Sequence, residues 1–545
     1  MLLGFVSYAR EKWTELNIGP FYVDSDSDTG AARDDLTQLE QLRWVLGGLL
    51  ESKDLLSVWP IRVILTNSAK TNPSRSGGEF VRQNGQFLLV SSPETRLPLD
   101  QVAGVLLDAN TPRLPPEVES GIRQLFATLE AHGSRVTWGG PPPHPDLAWA
   151  RMQLFATKFE YSLSFHIFLT ALKGGVGLQA AEQNAFAKNA GALEKEAAAN
   201  LAAGNWQAVP VSGRPLDPKR DFGEHSLDDT IAAVYLADAR LGSDPQSAEA
   251  AYKSAIEVGG ADAALGYEGL ARLAEIDKDN PESLLNDAIH AGSGSAPVYA
   301  SAADGLDAAQ AMPLLKKAAQ LNRLWAEPVF REAQFASTPA EKESLLKQAI
   351  RLDPRATEYW VDLAQVQTTA GEASAAQGSW LRAEDSAPTP TERDRLHQLR
   401  LDSEQERLDA ADAARRSERE AVHLADDRAE QAEEDRIHAA ERKANQALDA
   451  AAGGTQPENV VPWSQVVPQK KLEGTLTQVD CLGSGVRLWV KDRAGKTTQL
   501  FLKDSSGANL PCGAQRPVRR VSIAYSARPD ERFHTAGNVI LLKIQ

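Results

Sequence analysis

A small-residue signature recurs between residues 226 and 388, and it constrains the fold more than any other feature of the chain. Ala255-Ile256, Ala288-Ile289, Ala318-Ala319 and Ala349-Ile350 follow one another at steps of 33, 30 and 31 residues. Each pair falls late in a helix-like stretch. A small residue at a fixed place in a repeat implies helices that cross closely, since side chains at the contact set the interaxial distance. A unit of this length is one helix–turn–helix, which cannot bury its apolar face alone, so neighbours must stack. The segment is therefore predicted to form about five stacked helix pairs. The third is the least regular, with Pro313 expected in the first turn of a helix, where the missing N–H does no harm.

Two segments carry a family resemblance. "AIRLDP" (Ala349 to Pro354) sets a small residue five before a helix-stopping proline, and "YWVDLAQ" (Tyr359 to Gln365) has a Trp-x-x-Leu-small start. Both resemble tetratricopeptide (TPR) repeats, and the resemblance implies a protein or peptide ligand on the array. Tyr267, Trp325, Trp360 and Trp380 can equally be contacts or packing residues.

Composition limits the rest. At 545 residues the chain allows several domains, and 42% apolar residues suffice to build their cores. A net charge of −16 weighs against binding nucleic acid with the bulk of the surface. No apolar run is long enough to span a bilayer. The opening "MLLGFVSYA", followed by charged "REKW", reads as the end of a signal peptide, with Ser7-Tyr8-Ala9 in small-x-small order. The expectation is export to the periplasm or beyond, with a start codon further upstream; a cytoplasmic location is the alternative.

Residues 11–225 are predicted to be an α+β head. Strand-like "FYVDSDS" and "PIRVILTN" flank a helix marked by Leu36, Leu39, Leu42 and Leu46; "GQFLLVSS" and two further helices follow. This order, with the turn "LPPEVESG", resembles the peptidase-MA-like gluzincins. In that family His-Glu-x-x-His on a helix binds zinc and supplies a general base, and a glutamate further on completes the ligands. Aligned here, the five motif positions read Asp100-Gln101-Val102-Ala103-Gly104, Glu117 takes a tryptophan position and Ser120 the ligand glutamate. No histidine stands at either ligand position, and glutamine cannot take a proton from water. Asp100, Glu117 and Glu119 could gather around a hard cation, but solvated acids near a turn are the simpler reading. The resemblance thus implies a pseudopeptidase with no metal and no cofactor. Phe155, Phe159, Tyr161, Phe165 and Phe168 form an aromatic stripe read as core, with His166 packed among them. "KGGVGLQ" (Lys173 to Gln179) lacks the lysine and hydroxyl of a phosphate-binding loop and is read as a break between helices.

Residues 389–452 contain no Gly or Pro after Pro390 and are rich in Ala, Glu and Arg, which predicts one long charged helix without a sustained a/d seam. A proline-bearing linker, 453–469, leads to residues 470–545. There five strand-like runs predict a small β-barrel, possible as an OB-like fold. This tail carries 13 Lys/Arg against 6 Asp/Glu. Its cysteines, Cys481 and Cys512, are either a disulfide or two free thiols. The fold class is multidomain and mainly α: gluzincin-like head, TPR solenoid at 226–388, long helix, β tail. The function expected is a non-catalytic protein-binding scaffold. The alternatives are a metallopeptidase with a non-standard site and nucleic-acid binding by the basic tail.

Overall fold

The computed structural model describes residues 13–27, 29–67, 78–204, 206–451, 469–483, 485–503 and 510–544. The signal-like segment and linker residues 453–468 lie outside the described residues. The chain divides into two compact units, one ending at Arg416 and the other beginning at Ser417.

In the first unit, β1 (Trp13–Ile18) and β2 (Phe21–Ser25) lead into α1 (Thr29–Leu49), β3 (Ile61–Leu65), β4 (Val81–Gln83) and β5 (Gln86–Ser91). Then come α2 (Leu99–Asn110), α3 (Pro116–Leu125), β6 (Glu130–His132) and β7 (Arg135–Trp138). The head continues through α4 (Leu147–Thr157), α5 (Phe159–Ser162), α6 (Phe165–Lys173), α7 (Leu178–Phe186), α8 (Ala190–Ala203), β8 (Val209–Ser212), α9 (Pro218–Asp221) and β9 (Gly223–Leu227). The main sheet has the order β4-β5-β3-β2-β1-β9, and β6-β7-β8 form a smaller one. β3 runs parallel to both neighbours and is buried along its whole length. This suits "IRVIL", apolar at every position but Arg62: a central strand covered on both faces needs no polar alternation. Ile61, Val63 and Leu65 join the core with Leu36, Leu39, Leu42 and Leu46 of α1. β9 pairs with β1, so the head's sheet ends at Leu227, slightly beyond the expected boundary.

The aromatic stripe is less uniform than its periodicity predicts. Chain breaks at Lys158 and at Leu163-Ser164 divide it into α4, α5 and α6. Phe155, Tyr161, Phe165 and Phe168 are buried around Phe186, but Phe159 is 83% exposed, and His166 is exposed rather than packed. The turn between the separate helices rotates both side chains off the buried face. The glycines of "KGGVG" separate α6 from α7, as read from the sequence.

The array follows as five helix pairs. They are α10 (Asp229–Arg240) with α11 (Pro245–Val258), α12 (Gly260–Asp277) with α13 (Glu282–His290), and α14 (Ala296–Ala302) with α15 (Ala308–Leu321). The last two are α16 (Glu327–Gln334) with α17 (Pro339–Leu352), and α18 (Thr357–Thr369) with α19 (Ala373–Ser386). Ala255, Ala288, Ala318 and Ala349 are all fully buried. Asp228, Asp244, Asp307 and Thr338 cap helices with their side chains. Pro313 is the exception to expectation: α15 starts five residues earlier, so the proline sits inside the helix and removes one internal hydrogen bond.

Helix α20 (Pro390–Ala451) is 62 residues long, and only Leu396 is buried. Exposed pairs such as Glu392–Arg395 and Glu404–Arg407 lie along it. In the second unit, β10 (Gln469–Leu482), β11 (Gly485–Asp492), β12 (Thr497–Leu502), β13 (Gly513–Ser526) and β14 (Asn538–Ile544) pair in the cyclic order β10-β11-β12-β14-β13. A single parallel pair, Phe501–Asn538, joins β12 to β14. Leu476, Leu488, Val490, Leu500, Val521 and Ile523 fill the inside. Cys481 and Cys512 are bonded, with Cα atoms 5.7 Å apart. Trp489 lies outside that core, half-buried, with its indole N–H donated to Asp480.

Candidate functional site at the junction of head and array

The head lies along the array, and the array contributes polar anchors at repeat spacing. Asn322 Nδ2 donates to the Val58 carbonyl at 2.8 Å, and the Trp325 ring meets Trp59 edge-on at 5.0 Å. Arg355, in the turn between α17 and α18, reaches the corner between α2 and α3. Its Nε donates to the Thr111 carbonyl at 2.9 Å and Nη2 to Thr111 Oγ1 at 3.0 Å. Nη1 meets Asp108 at 2.6 Å, and Nη2 meets Glu119 at 2.7 Å. Arg113 Nε donates to the Ser386 carbonyl at 2.8 Å. Asn322, Arg355 and Ser386 stand 33 and 31 residues apart, the rhythm of the buried alanines. Helix–turn–helix repeats bring equivalent turns to one edge, and the head docks on that edge.

At the other end of the array, α10 packs against β5 and β4. Arg62 points away from the head core and lies 4.1 Å from the Tyr235 ring centroid and 4.7 Å from that of Tyr22. It binds Asp24 at 2.7 Å and Glu15 at 2.9 Å. Burial lifts the Asp24 carboxyl to about 6, against the pull of the Arg62 guanidinium. Asp238, on α10, accepts from Asn84 Nδ2 at 2.9 Å and from Tyr252 Oη at 2.7 Å. It is buried, with no cation paired to it among the described residues, and burial raises it to about 6. Glu268 accepts from Ser293 Oγ. Burial, opposed by that hydrogen bond and assisted by the Asp238 charge, takes Glu268 to about 7.

The positions aligned with the metallopeptidase motif meet near this junction, but their side chains are engaged elsewhere. Gln101 donates to the Gly78 carbonyl at 2.7 Å and accepts from Phe80 N–H at 2.9 Å. Gly104 faces α3: a Cβ there would lie 2.8 Å from Arg123 Nε. Ser120 accepts from Gln124 at 3.0 Å. Glu119 holds Arg355 and the Leu114 N–H rather than any histidine. Asp100 is half-buried at the start of α2, and Glu117 is exposed. Among the described residues, no three His, Cys, Asp or Glu side chains gather as a metal site.

A cavity of about 780 Å³ opens here between head and array. The head side includes Trp59, Arg82, Phe87, Val105 and Arg123; the array side includes Trp325, Glu327, Asp353 and Tyr359. Sequence reasoning identified the α2–α3 corner and named Trp325 as a contact or packing residue, but did not single out Arg82, Arg123, Glu327, Asp353 or Arg355.

No protein-family model matches the sequence, and no curated protein matches it. Similar solved structures include the TPR protein YrrB, described as having an unusual peptide-binding site, at 18% identity over 31% of this chain and 92% of that one, with a TM-score of 0.26. MamA is similar at 17% identity over 28% and 94% of the two chains, with a TM-score of 0.24. Yeast Tom70 is similar at 14% identity over 57% and 70%, with a TM-score of 0.26. The repeat character of this array rests on its own helix pairs and buried alanines. Among the described residues, no helix is long and apolar enough to cross a membrane.

Proposed function

We propose that the chain is a non-catalytic binding scaffold: a TPR-type array stiffened along one edge by a head that keeps the layout of a metallopeptidase without its chemistry. One observation carries this reading. At the α2–α3 corner the groups aligned with metal ligands and base are an aspartate, a glycine, a serine and a backbone-bound glutamine, with no histidine among them. Arg355 of the array claims the nearby Glu119. A hydrolytic zinc site needs three protein ligands and an open position for water. This corner instead sets the Arg355 guanidinium against Asp108 and Glu119. The stacked pairs supply what a protein-binding surface requires, a rigid face longer than any single helix.

Export and an OB-like tail belong to the same proposal. The Cys481–Cys512 bond suits an oxidising compartment, and five short strands in cyclic order suit a small barrel. The decisive experiment measures metal and partners on one preparation. Purified full-length protein should carry well below stoichiometric zinc and should capture a protein partner through residues 226–388. Stoichiometric zinc lost on changing Glu119 to Gln would overturn the scaffold reading.

A further inference from the structure

We infer that the cavity between head and array binds a short peptide stretch bearing both signs of charge, its carboxylate toward Arg82 and Arg123 of the head and its cation toward Glu327 and Asp353 of the array. The inference rests on reading the chain as a binding protein and assigns a site and a ligand chemistry to it.

The charges lining the cavity fall into two groups. Arg355 is consumed by Asp108, Glu119 and Thr111, and Arg113 by the Ser386 carbonyl. The remaining cations have no such partner: among the described residues, no ion pair or hydrogen bond engages the guanidinium of Arg82 or Arg123. Arg82 lies over the Trp59 ring at 5.4 Å. Burial, then the nearby charge of Arg272 on α12, holds it below its ordinary value. Arg123 passes over Gly104, where any side chain would collide with it. A guanidinium thus lies where the resemblance would place a histidine-bound ion, and it can hold an anion without activating water.

The array side is opposite in sign. Glu327 accepts only from the Tyr359 hydroxyl at 3.2 Å, and Asp353 accepts from the Arg355 backbone N–H at 2.9 Å; neither meets a cation among the described residues. Burial and then the Glu327 and Asp353 charges raise the Tyr359 hydroxyl, consistent with a negative field there. Opposite charges that face one cavity without pairing across it leave room for a ligand that completes both. The volume lies in the range of pockets that enclose small ligands, and the Trp59–Trp325 pair offers an aromatic wall.

The two charges could come from the ends of a free peptide or from neighbouring acidic and basic side chains. The test titrates full-length protein by calorimetry with four alanine-based probes. These are a tetrapeptide with both ends free, the same peptide amidated, the same peptide acetylated, and an end-blocked peptide containing Lys-Ala-Asp. Preference for the free peptide identifies termini as the source; preference for the blocked peptide identifies side chains. The preferred probe should bind about tenfold more weakly when its carboxylate is neutralised, and Arg82→Gln with Arg123→Gln should reduce that discrimination to under about twofold. Glu327→Gln with Asp353→Asn should do the same for the cationic group. Unchanged melting temperatures exclude unfolding as the cause. Discrimination surviving in these variants, or no binding by any probe at roughly 1 mM, overturns the assignment. A partner still captured by the array in that case leaves the scaffold reading intact.

Discussion

Arg355→Ala should loosen the head from the array without unfolding either, and its magnitude can be worked from the contacts. Arg355 is 8% exposed and spends its guanidinium on the Thr111 carbonyl and hydroxyl, Asp108 and Glu119. Removing one partner of a buried pair typically costs about 3–5 kcal/mol, mainly because the other charge is stranded. Here that penalty is smaller. The Asp108 side chain is 62% exposed and regains water at once. Glu119 is 17% exposed but keeps the Leu114 N–H. The Thr111 carbonyl is the group most nearly orphaned, and one lost charge-assisted hydrogen bond is worth about 1.5–3 kcal/mol. We therefore expect a loss of about 2–3 kcal/mol. Native-state hydrogen exchange reads it directly: amides of α2 and α3 should open more easily by that amount, while those of α12 and α13 should not change. Arg355→Lys should recover less than half, since one ammonium cannot reproduce the fork. Opening free energies at α2 and α3 unchanged within about 0.5 kcal/mol would show that the arginine decorates the junction rather than holding it.

Three further outcomes follow from single sites. Asp238 binds its proton more tightly folded, at about 6 against 3.8, so its stabilising contribution is complete below about pH 4 and disappears as pH rises through 6. Thermal unfolding should therefore show the protein gaining stability from pH 7.5 to 5, and Asp238→Asn should flatten that gain by about 1.4 kcal/mol, the part of the linkage that falls in this window; a slope unchanged by the variant refutes the assignment. Cys481→Ser should cost the β tail about 3–4 kcal/mol, the loop-closure value for 31 residues, seen as a lower urea midpoint for that unit alone. Gly121→Ala should destabilise the head by about 3 kcal/mol or more, because its Cβ would fall inside van der Waals contact with the Ala148 carbonyl and Met152 Cγ; soluble expression at wild-type levels with an unchanged melting temperature would contradict this.

What could be read from the sequence was what is local. The alanine rhythm survives because each alanine answers to a helix contact within its own repeat. The strand "IRVIL" was legible because burial on both faces leaves a short, mostly β-branched run, interrupted only by Arg62. What depends on distant partners was not legible. Arg355 looks like an ordinary residue in a turn, and its partners lie some 240 positions earlier. β9 looks like loop until β1 pairs with it across the whole head. Phe159 and His166 were misplaced because one helical period was extended across breaks that reset the facing direction. At the candidate site, the resemblance read around Asp100–Gly104 and Ser120 pointed to the α2–α3 corner, but nothing in it announced that the cavity's other wall would come from Glu327 and Asp353.

The junction gives the head a mechanical role in the array. A solenoid is held only by contacts between neighbouring repeats, so its curvature is soft and a surface spanning several repeats is poorly preorganised. Anchoring turns at Asn322, Arg355 and Ser386 to one globular body removes that softness, because bending the array would then pull polar groups off the head. Binding gains affinity when its surfaces are rigid before the ligand arrives. The α2–α3 corner answers the same demand: a glycine at 104 gives Arg123 its path, and Glu119 is engaged by Arg355. A metal site at this corner and a repeat-registered dock would compete for the same residues, and in this chain the dock holds them.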